Sequence, residues 1–338
     1  MSTNAALVVC QSGFENLLVR EVKVLGLDAS SSGPGWVLLT SGDPGLRRAT
    51  FAHAVLEDPV GVSGTGVNEI AQRIMEQFSE GLRGERLEER WPCLFAGALD
   101  QTGLGRRMAS VEAAFHELLR KKMGRVARLA SQERPRVGPA RGLFVWFTDF
   151  GAAQVARTAH MNGPCRMADD DAAPSRSYLK VEEAYGILGA EPVQGETVCD
   201  LGAAPGGWSY SAAKRGARVV AVDNGPLKGG AAGHPLIDHR TDDAFGFSPG
   251  REATYDWMFC DMLEDPHKVV ESIARPWLSG RWCRRFVVNL KFGRVDPIAL
   301  LGELRGPGSP FSLHAESVRV VHLYHDREEF TVTGLTRA

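Results

Sequence analysis

Two hydrophobic periods divide the 338 residues of this chain. Up to about residue 160, short apolar runs alternate with stretches whose apolar residues recur every three or four positions, the spacing of one helix face. Ala5–Cys10 and Trp36–Thr40 read as strands, and Phe14–Leu27 as a helix with Leu17, Leu18, Val22 and Leu25 in register. A helix over Val67–Leu82, a strand near Pro92–Leu99 and a long helix from about Ser110 to Leu129 follow. In the long helix Val111, Phe115, Leu118, Leu119, Met123 and Val126 form the apolar stripe. Two β-rich runs, Leu143–Thr148 and Ala153–Thr158, close this half, which is α+β in pattern.

From Gly163 to Ser177 the chain reads GPCRMADDDAAPSRS, rich in small residues and Asp with no apolar period, and predicts a linker. Beyond it strands and helices alternate. The strands are Thr197–Leu201, Arg218–Val222, Trp257–Cys260, Phe286–Leu290, Val318–Leu323 and Phe330–Gly334. The helices are Val181–Leu188, Gly207–Lys214, Lys268–Trp277 and Pro297–Leu304. This alternation predicts an α/β, Rossmann-like domain with a mostly parallel sheet, whose ligands bind beyond the carboxyl ends of the strands.

Composition narrows the class. Hydrophobic residues make up 43% and charged residues 24%, a globular balance that excludes a disordered or collagen-like chain. No apolar run approaches the ~20 residues of a membrane-spanning helix, and the first residues lack the basic region of a signal peptide. Six scattered cysteines without a CxxC pair argue for reduced thiols in the cytoplasm. The nine histidines show no metal-binding spacing, and no metal is expected. The net charge of −2 is uninformative, but its distribution is not. Between Arg106 and Arg141 ten basic residues face three acidic ones, enough to make a footprint for a nucleic-acid backbone. Arg120, Lys121, Lys122 and Arg125 are its centre. A solvated helix face is the plainer alternative.

The sharpest signal is Cys199-Asp200-Leu201-Gly202-Ala203-Ala204-Pro205-Gly206-Gly207-Trp208, which follows an apolar strand and opens a helix. Gly202, Gly206 and Gly207 permit a tight turn and close backbone approach to a ligand. The spacing is not that of a dinucleotide loop, and Pro205 lacks the N–H a diphosphate cradle would use. Asp223, at the end of the second strand, suits a ribose diol, and Asp243 suits an adenine amino group. An adenosyl ligand without a diphosphate is S-adenosylmethionine (SAM).

Three strand ends carry polar residues that a buried strand would avoid. Asp261 follows Trp257–Cys260, Lys291 follows Phe286–Leu290, and Glu328 and Glu329 precede Phe330. Lys180 begins the helix before the glycine loop. A hydroxyl that attacks a methyl sulfonium needs a positioned base. Burial, the second lysine and a bound cation would each push Lys291 toward its neutral form, with Asp261 opposing them. Strand alternation lets only one of the two glutamates into the crevice. Glu329, next to the apolar strand, is the better candidate.

DLGAAPGGW, VDNGP, CDM, NLKFG and HDREEFTV together resemble the FtsJ/RrmJ-like RNA ribose 2′-O-methyltransferases. SRSYLKVEEAY, WLSGRWCRRFVVNLK and LYHDREE resemble most closely the group within that family that modifies a cytidine of 23S ribosomal RNA. The resemblance covers about residues 163–335. It implies a catalytic set of Lys180, Asp261, Lys291 and Glu329, with Lys291 foremost. It also implies SAM contacts at Ser177, Ala204, Pro205, Gly206, Gly207, Asp223, Asp243 and Asp261. Residues 1–60 are then a ferredoxin-like segment, 61–162 a THUMP-like RNA-binding domain, 163–177 a linker and 178–338 the methyltransferase domain. The implied partner is 23S rRNA or an assembling large subunit, without DNA or membrane, for a cytoplasmic monomer or weak homo-oligomer.

Two other readings remain open. A base N-methyltransferase would hold a planar amine with an (N/D)PPY-type loop, where this chain has Cys260-Asp261-Met262-Leu263. A non-catalytic RNA-binding protein could keep a SAM fold, although all four tetrad positions are occupied.

Overall fold

The computed structural model describes residues 5–98, 101–250 and 254–337. The chain forms two compact units, residues 1–163 and 164–338.

Among the described residues the first unit holds nine strands in one sheet. They are β1 (Ala6–Val9), β2 (Ala29–Gly33), β3 (Trp36–Leu39), β4 (Ala54–Glu57), β5 (Val60–Ser63), β6 (Trp91–Gly97), β7 (Ala130–Ser131), β8 (Gly138–Asp149) and β9 (Ala152–Met161). The order is β2-β3-β1-β4-β9-β8-β6-β7, with β5 also on β9. Segments 1–60 and 61–162 therefore share a sheet, joined where β4 pairs with β9. Helix α1 (Glu15–Val24) is followed by α2 (Val67–Gly81), α3 (Leu104–Lys122) and α4 (Gly124–Leu129). Ile70, Ile74 and Phe78 of α2 and Phe115 and Leu119 of α3 pack with Leu143, Val145 and Phe147 of β8. Burying such side chains stabilises the unit by about 1.5–3 kcal/mol each before entropy is counted.

The basic helix differs from its expected form. It runs from Leu104 to Lys122; at Met123 φ −142° and ψ 57° leave the helical region, and Gly124 begins a separate short helix. The apolar stripe runs on through both pieces and conceals the break. Strands β2 and β5 were not legible. Exposed serines in β2 and mostly exposed residues in β5 give no apolar alternation. Leu99, the last residue of the strand expected after Pro92, lies outside the described residues.

The second unit carries helix α5 (Tyr178–Leu188), β10 (Thr197–Leu201), α6 (Gly207–Ala213), β11 (Arg218–Val222), β12 (Ile237–Arg240), β13 (Tyr255–Asp261), β14 (Cys283–Lys291), α7 (Pro297–Arg305), β15 (Ala315–Val321) and β16 (Glu329–Thr336). Its sheet order is β12-β11-β10-β13-β14-β16-β15. The first five strands in this order are parallel, and β16 is antiparallel to both β14 and β15. Val181 and Tyr185 of α5 and Trp208 and Ala212 of α6 cover Val198, Trp257, Phe259 and Val287 of the sheet. Strand β12 escapes sequence reading because it is a mostly exposed edge strand, IDHR.

Residues 164–177 are not a free linker. Cys165 N donates to Glu183 Oε1 at 2.9 Å, Met167 N to His325 Nε2 at 2.9 Å, and Gly230 N to the Ala172 carbonyl at 2.8 Å. Backbone hydrogen bonding orders this segment within the second unit despite its lack of an apolar period.

Candidate active site

Strand polarity explains why distant residues meet. The parallel strands β13 and β14 end at Asp261 and Lys291. Strand β16 runs the other way, so its first residue, Glu329, pairs directly with Lys291. Asp261 is likewise in register with Asn289 of β14. Lys180, in the first turn of α5, completes the group.

Lys180 Nζ lies 2.7 Å from Glu329 Oε1 and 3.5 Å from Asp261 Oδ2. Lys291 Nζ donates to Asp261 Oδ1 at 2.5 Å, to Asn289 Oδ1 at 2.6 Å, and to Glu329 Oε2. Two ammonium groups and two carboxylates thus alternate in a ring, each side chain less than a fifth exposed. Charges this far from water persist only when paired and hydrogen-bonded. Glu328 points to solvent, and Glu329 is the glutamate inside the ring.

Burial opposes charge on Asp261, Glu329 and Lys291, but the pairing outweighs it. Asp261 and Glu329 stay below the usual carboxylate range because Lys180 and Lys291 face them. Burial favours neutral Lys291, yet Asp261 and Glu329 together hold it protonated, well above an ordinary lysine. The expectation that Lys291 is pushed toward neutrality is therefore reversed in this state. Two adjacent carboxylates, only one of them counted as an opposing influence in the sequence reading, decide the sign.

The glycine loop stands at the neighbouring strand end. Gly202 has φ +76° and Gly206 φ +105°, and the Ala204–Pro205 bond is cis. A Cβ at Gly202 would lie 2.2 Å from Met262 Cγ, and one at Gly206 2.5 Å from Ala231 Cβ. Both conformation and space therefore require glycine. Gly202 N and Ala203 N donate to the Val222 carbonyl at 2.9 and 3.2 Å. Ala204 N donates to Asp223 Oδ2 at 3.0 Å and Gly225 N to Oδ1 at 2.7 Å, which fixes the carboxylate at the end of β11. Asp243 lies exposed after β12, its Oδ1 accepting from Phe245 N at 3.0 Å. Ser177 joins loop and ring: its hydroxyl donates to Asp261 Oδ2 at 2.5 Å and its carbonyl accepts from Trp208 Nε1 at 2.9 Å.

These residues fit SAM. Gly207 opens α6 beside Ser175, whose hydroxyl oxygen is buried without a hydrogen-bond partner, and a Cβ at Gly207 would sit 3.0 Å from it. Beneath the loop, burial and the nearby Asp261 and Asp223 raise the carboxyl of Asp200 to about 7, opposed by the hydroxyl of Ser209 at 2.6 Å. No cluster of metal-ligating side chains occurs among the described residues.

Three residues were missed in the sequence. Glu183 is buried on α5, one turn from Lys180. It accepts from Cys165 N at 2.9 Å, Tyr324 N at 2.7 Å and His325 N at 3.2 Å, binding the segment before α5 and the β15–β16 connection to the lysine's helix. Asn289 and Asp326 are buried behind the ring. A polar Asn289 inside the apolar run FVVNLK was the available signal; for Glu183 and Asp326 no local pattern exists.

In the first unit Arg120, Lys121, Lys122 and Arg125 are all exposed. Lys121 pairs with Glu117 at 2.7 Å and Lys122 donates to Gln72 at 3.3 Å. Other members of the basic run are structural. Arg107 donates to the carbonyls of Phe150 and Thr65, and Arg141 grips Glu85 with two hydrogen bonds.

Comparison with known proteins identifies the family. Residues 173–276 match the FtsJ-like methyltransferase family. The ribosomal RNA large subunit methyltransferase M of Laribacter hongkongensis is 30% identical over 354 residues, 96% of this chain and 95% of its own. Its counterpart in Alkalilimnicola ehrlichii is 32% identical over 357 residues, 96% of this chain and 93% of its own. The one from a Marinomonas species is 42% identical over 175 residues, an alignment spanning 48% of each chain. Two relatives at 30% identity or more, aligned over nearly their whole length, place this chain in the ribosomal RNA large subunit methyltransferase M family, as a SAM-dependent RNA methyltransferase.

Proposed function

We propose that the chain methylates the ribose 2′-hydroxyl of a cytidine in 23S ribosomal RNA. The observation that carries this reading is the closed ring of Lys180, Asp261, Lys291 and Glu329. SAM, when bound, supplies a methyl group on a sulfonium. The glycine loop 202–207, Ser175, Ser177, Asp223 and Asp243 would hold it. An attacking hydroxyl must shed its proton as the oxygen–carbon bond forms. One N–H proton of Lys291 passes to Glu329 or Asp261, both within hydrogen-bond reach, and the lone pair this leaves on Nζ accepts the hydroxyl proton and orients the oxygen for displacement. Lys180 keeps the two carboxylates charged until then. The loop after Asp261, Met262-Leu263, offers no (N/D)PPY motif for a planar amine, which speaks against methylation of a base.

The first unit, read as a ferredoxin-like segment with a THUMP-like domain, supplies RNA affinity through the exposed basic face of α3 and α4. The protein acts in the cytoplasm as a monomer or weak homo-oligomer. The test is transfer of labelled methyl from SAM to 23S rRNA lacking its native modifications, with the product mapped. A single 2′-O-methylcytidine supports the reading. A methyl on a base, or transfer only to another RNA, overturns it.

A further inference from the structure

Lys291 has three N–H donors and no acceptor, and in the ring all three are used. Two go to carboxylates, Asp261 and Glu329, and the third to the neutral carbonyl oxygen of Asn289 at 2.6 Å. Asn289 lies two residues before Lys291 on β14, so both side chains share one face of the sheet. It pairs directly across the sheet with Thr331, as Lys291 does with Glu329. These four residues form a two-by-two block on adjacent antiparallel strands.

The Asn289 amide can stand only one way round. Its Nδ2 donates to Asp326 Oδ1 at 3.2 Å and to Thr331 Oγ1 at 3.1 Å. Thr331 Oγ1 itself donates to Asp326 Oδ2 at 3.1 Å, and Asp326 Oδ2 also accepts from Leu323 N at 2.9 Å. A flipped amide would set its N–H groups against the Lys291 ammonium, which has no acceptor to offer them. Asn289, Asp326 and Thr331 are all within 1% of full burial, so water is not available to replace these partners.

We propose that Asn289 is a positioning residue for Lys291. Held by Asp326 and Thr331, its carbonyl fixes the third N–H of the lysine and leaves the carboxylate-facing pair as the ones exchanged with the substrate hydroxyl. This rests on the catalytic reading of Lys291 given above. Among the described residues the charged or titratable groups around Nζ are Lys180, Asp261, Glu329, the buried Cys260 of β13 and, behind Asn289, Asp326. A neutral third acceptor favours the ammonium less than a third carboxylate would and more than an apolar group would. The pH at which Lys291 becomes competent is thereby set between those limits.

The experiment is the pH profile of kcat for full-length enzyme on unmodified 23S rRNA, with SAM affinity and thermal melting recorded for each variant. Asn289→Leu is expected to lower kcat about tenfold or more and to move the Lys291 limb to lower pH. Asn289→Asp is expected to move that limb to higher pH. SAM affinity stays within about twofold in both. Opposite displacements in two folded variants are something a packing defect does not produce. Where neither Asn289 variant folds, Thr331→Val, isosteric and uncharged, should move the limb in the direction of Asn289→Leu. A folded, SAM-binding variant whose limb coincides with that of the wild type overturns the proposal. Lys291→Ala run alongside separates the two readings: if it retains turnover, the catalytic role of the lysine fails first.

Discussion

Lys291 and Glu329 stand directly opposite one another on antiparallel strands β14 and β16, 38 residues apart in sequence, and their side chains are hydrogen-bonded. The pairing makes the choice of glutamate a matter of strand register. Glu329 is the first residue of β16, whereas Glu328 lies outside it and is exposed. Glu329→Gln should lower kcat about 100-fold, because the neutral amide can neither balance Lys180 nor receive a proton from Lys291. Glu328→Gln should stay within about threefold of wild type. Single-turnover methylation with the two variants side by side checks this, and equal losses would contradict the assignment.

The charge state of Lys291 gives a second prediction. Asp261 and Glu329 keep it protonated in the free enzyme, yet as a primary amine it can still exchange its proton during the reaction. Arginine supplies the same charge in a planar fork and does not deprotonate in proteins. Lys291→Ala and Lys291→Arg should therefore both lose at least about 1000-fold in methyl transfer. SAM affinity, measured by calorimetry, should change less than about threefold. Substantial turnover by Lys291→Arg would show that positive charge alone suffices.

How much of this was legible in the sequence follows from where the information lies. The strand ends at Asp261 and Lys291 and the glycine loop announce themselves, because charge or glycine interrupts an apolar run. The ring partners could be named one by one. Their balance could not, because the sign of the Lys291 shift depends on two carboxylates converging on one nitrogen, which is a product of strand register. Glu183 and Asp326 were invisible for a related reason. Glu183 serves backbone amides from distant parts of the chain, and Asp326 serves the Leu323 amide and the side chains of Asn289 and Thr331 on two neighbouring strands; neither arrangement leaves a periodic pattern. Segment 164–177 was misread for the same cause, its order coming from amides and carbonyls rather than apolar spacing.

The basic run between Arg106 and Arg141 divides into two sets with different expected effects. Arg107 and Arg141 hold the unit together through carbonyls and Glu85, so their loss should lower stability. Arg120, Lys122 and Arg125 are exposed, and replacing all three with Gln should leave the melting temperature within about 2 °C. RNA affinity should fall and the slope of log affinity against log salt should flatten by about 2, since each lost phosphate contact removes roughly 0.7–0.9. Filter binding across a salt series measures this. An unchanged slope would assign the face to solvent.

Asp200 makes stability depend on pH in a direction opposite to that of an ion-paired carboxylate. Burial raises its carboxyl to about 7, with Asp261 and Asp223 adding to the effect. An unfolded aspartate titrates near 4. Between those values the native state holds a proton that the unfolded chain has released, so stability falls as pH rises from about 4 to about 7 and then levels off. The span from about 4 to about 7 corresponds to at most ~4 kcal/mol. Asp200→Asn, still able to accept from Ser209, abolishes this dependence. Urea denaturation of both proteins at intervals from pH 4.5 to 8 should show the wild type losing stability relative to the variant, most steeply between pH 5 and 7. Parallel curves would mean that Asp200 is ionised throughout, its charge stabilised by the Ser209 hydroxyl more strongly than burial opposes it.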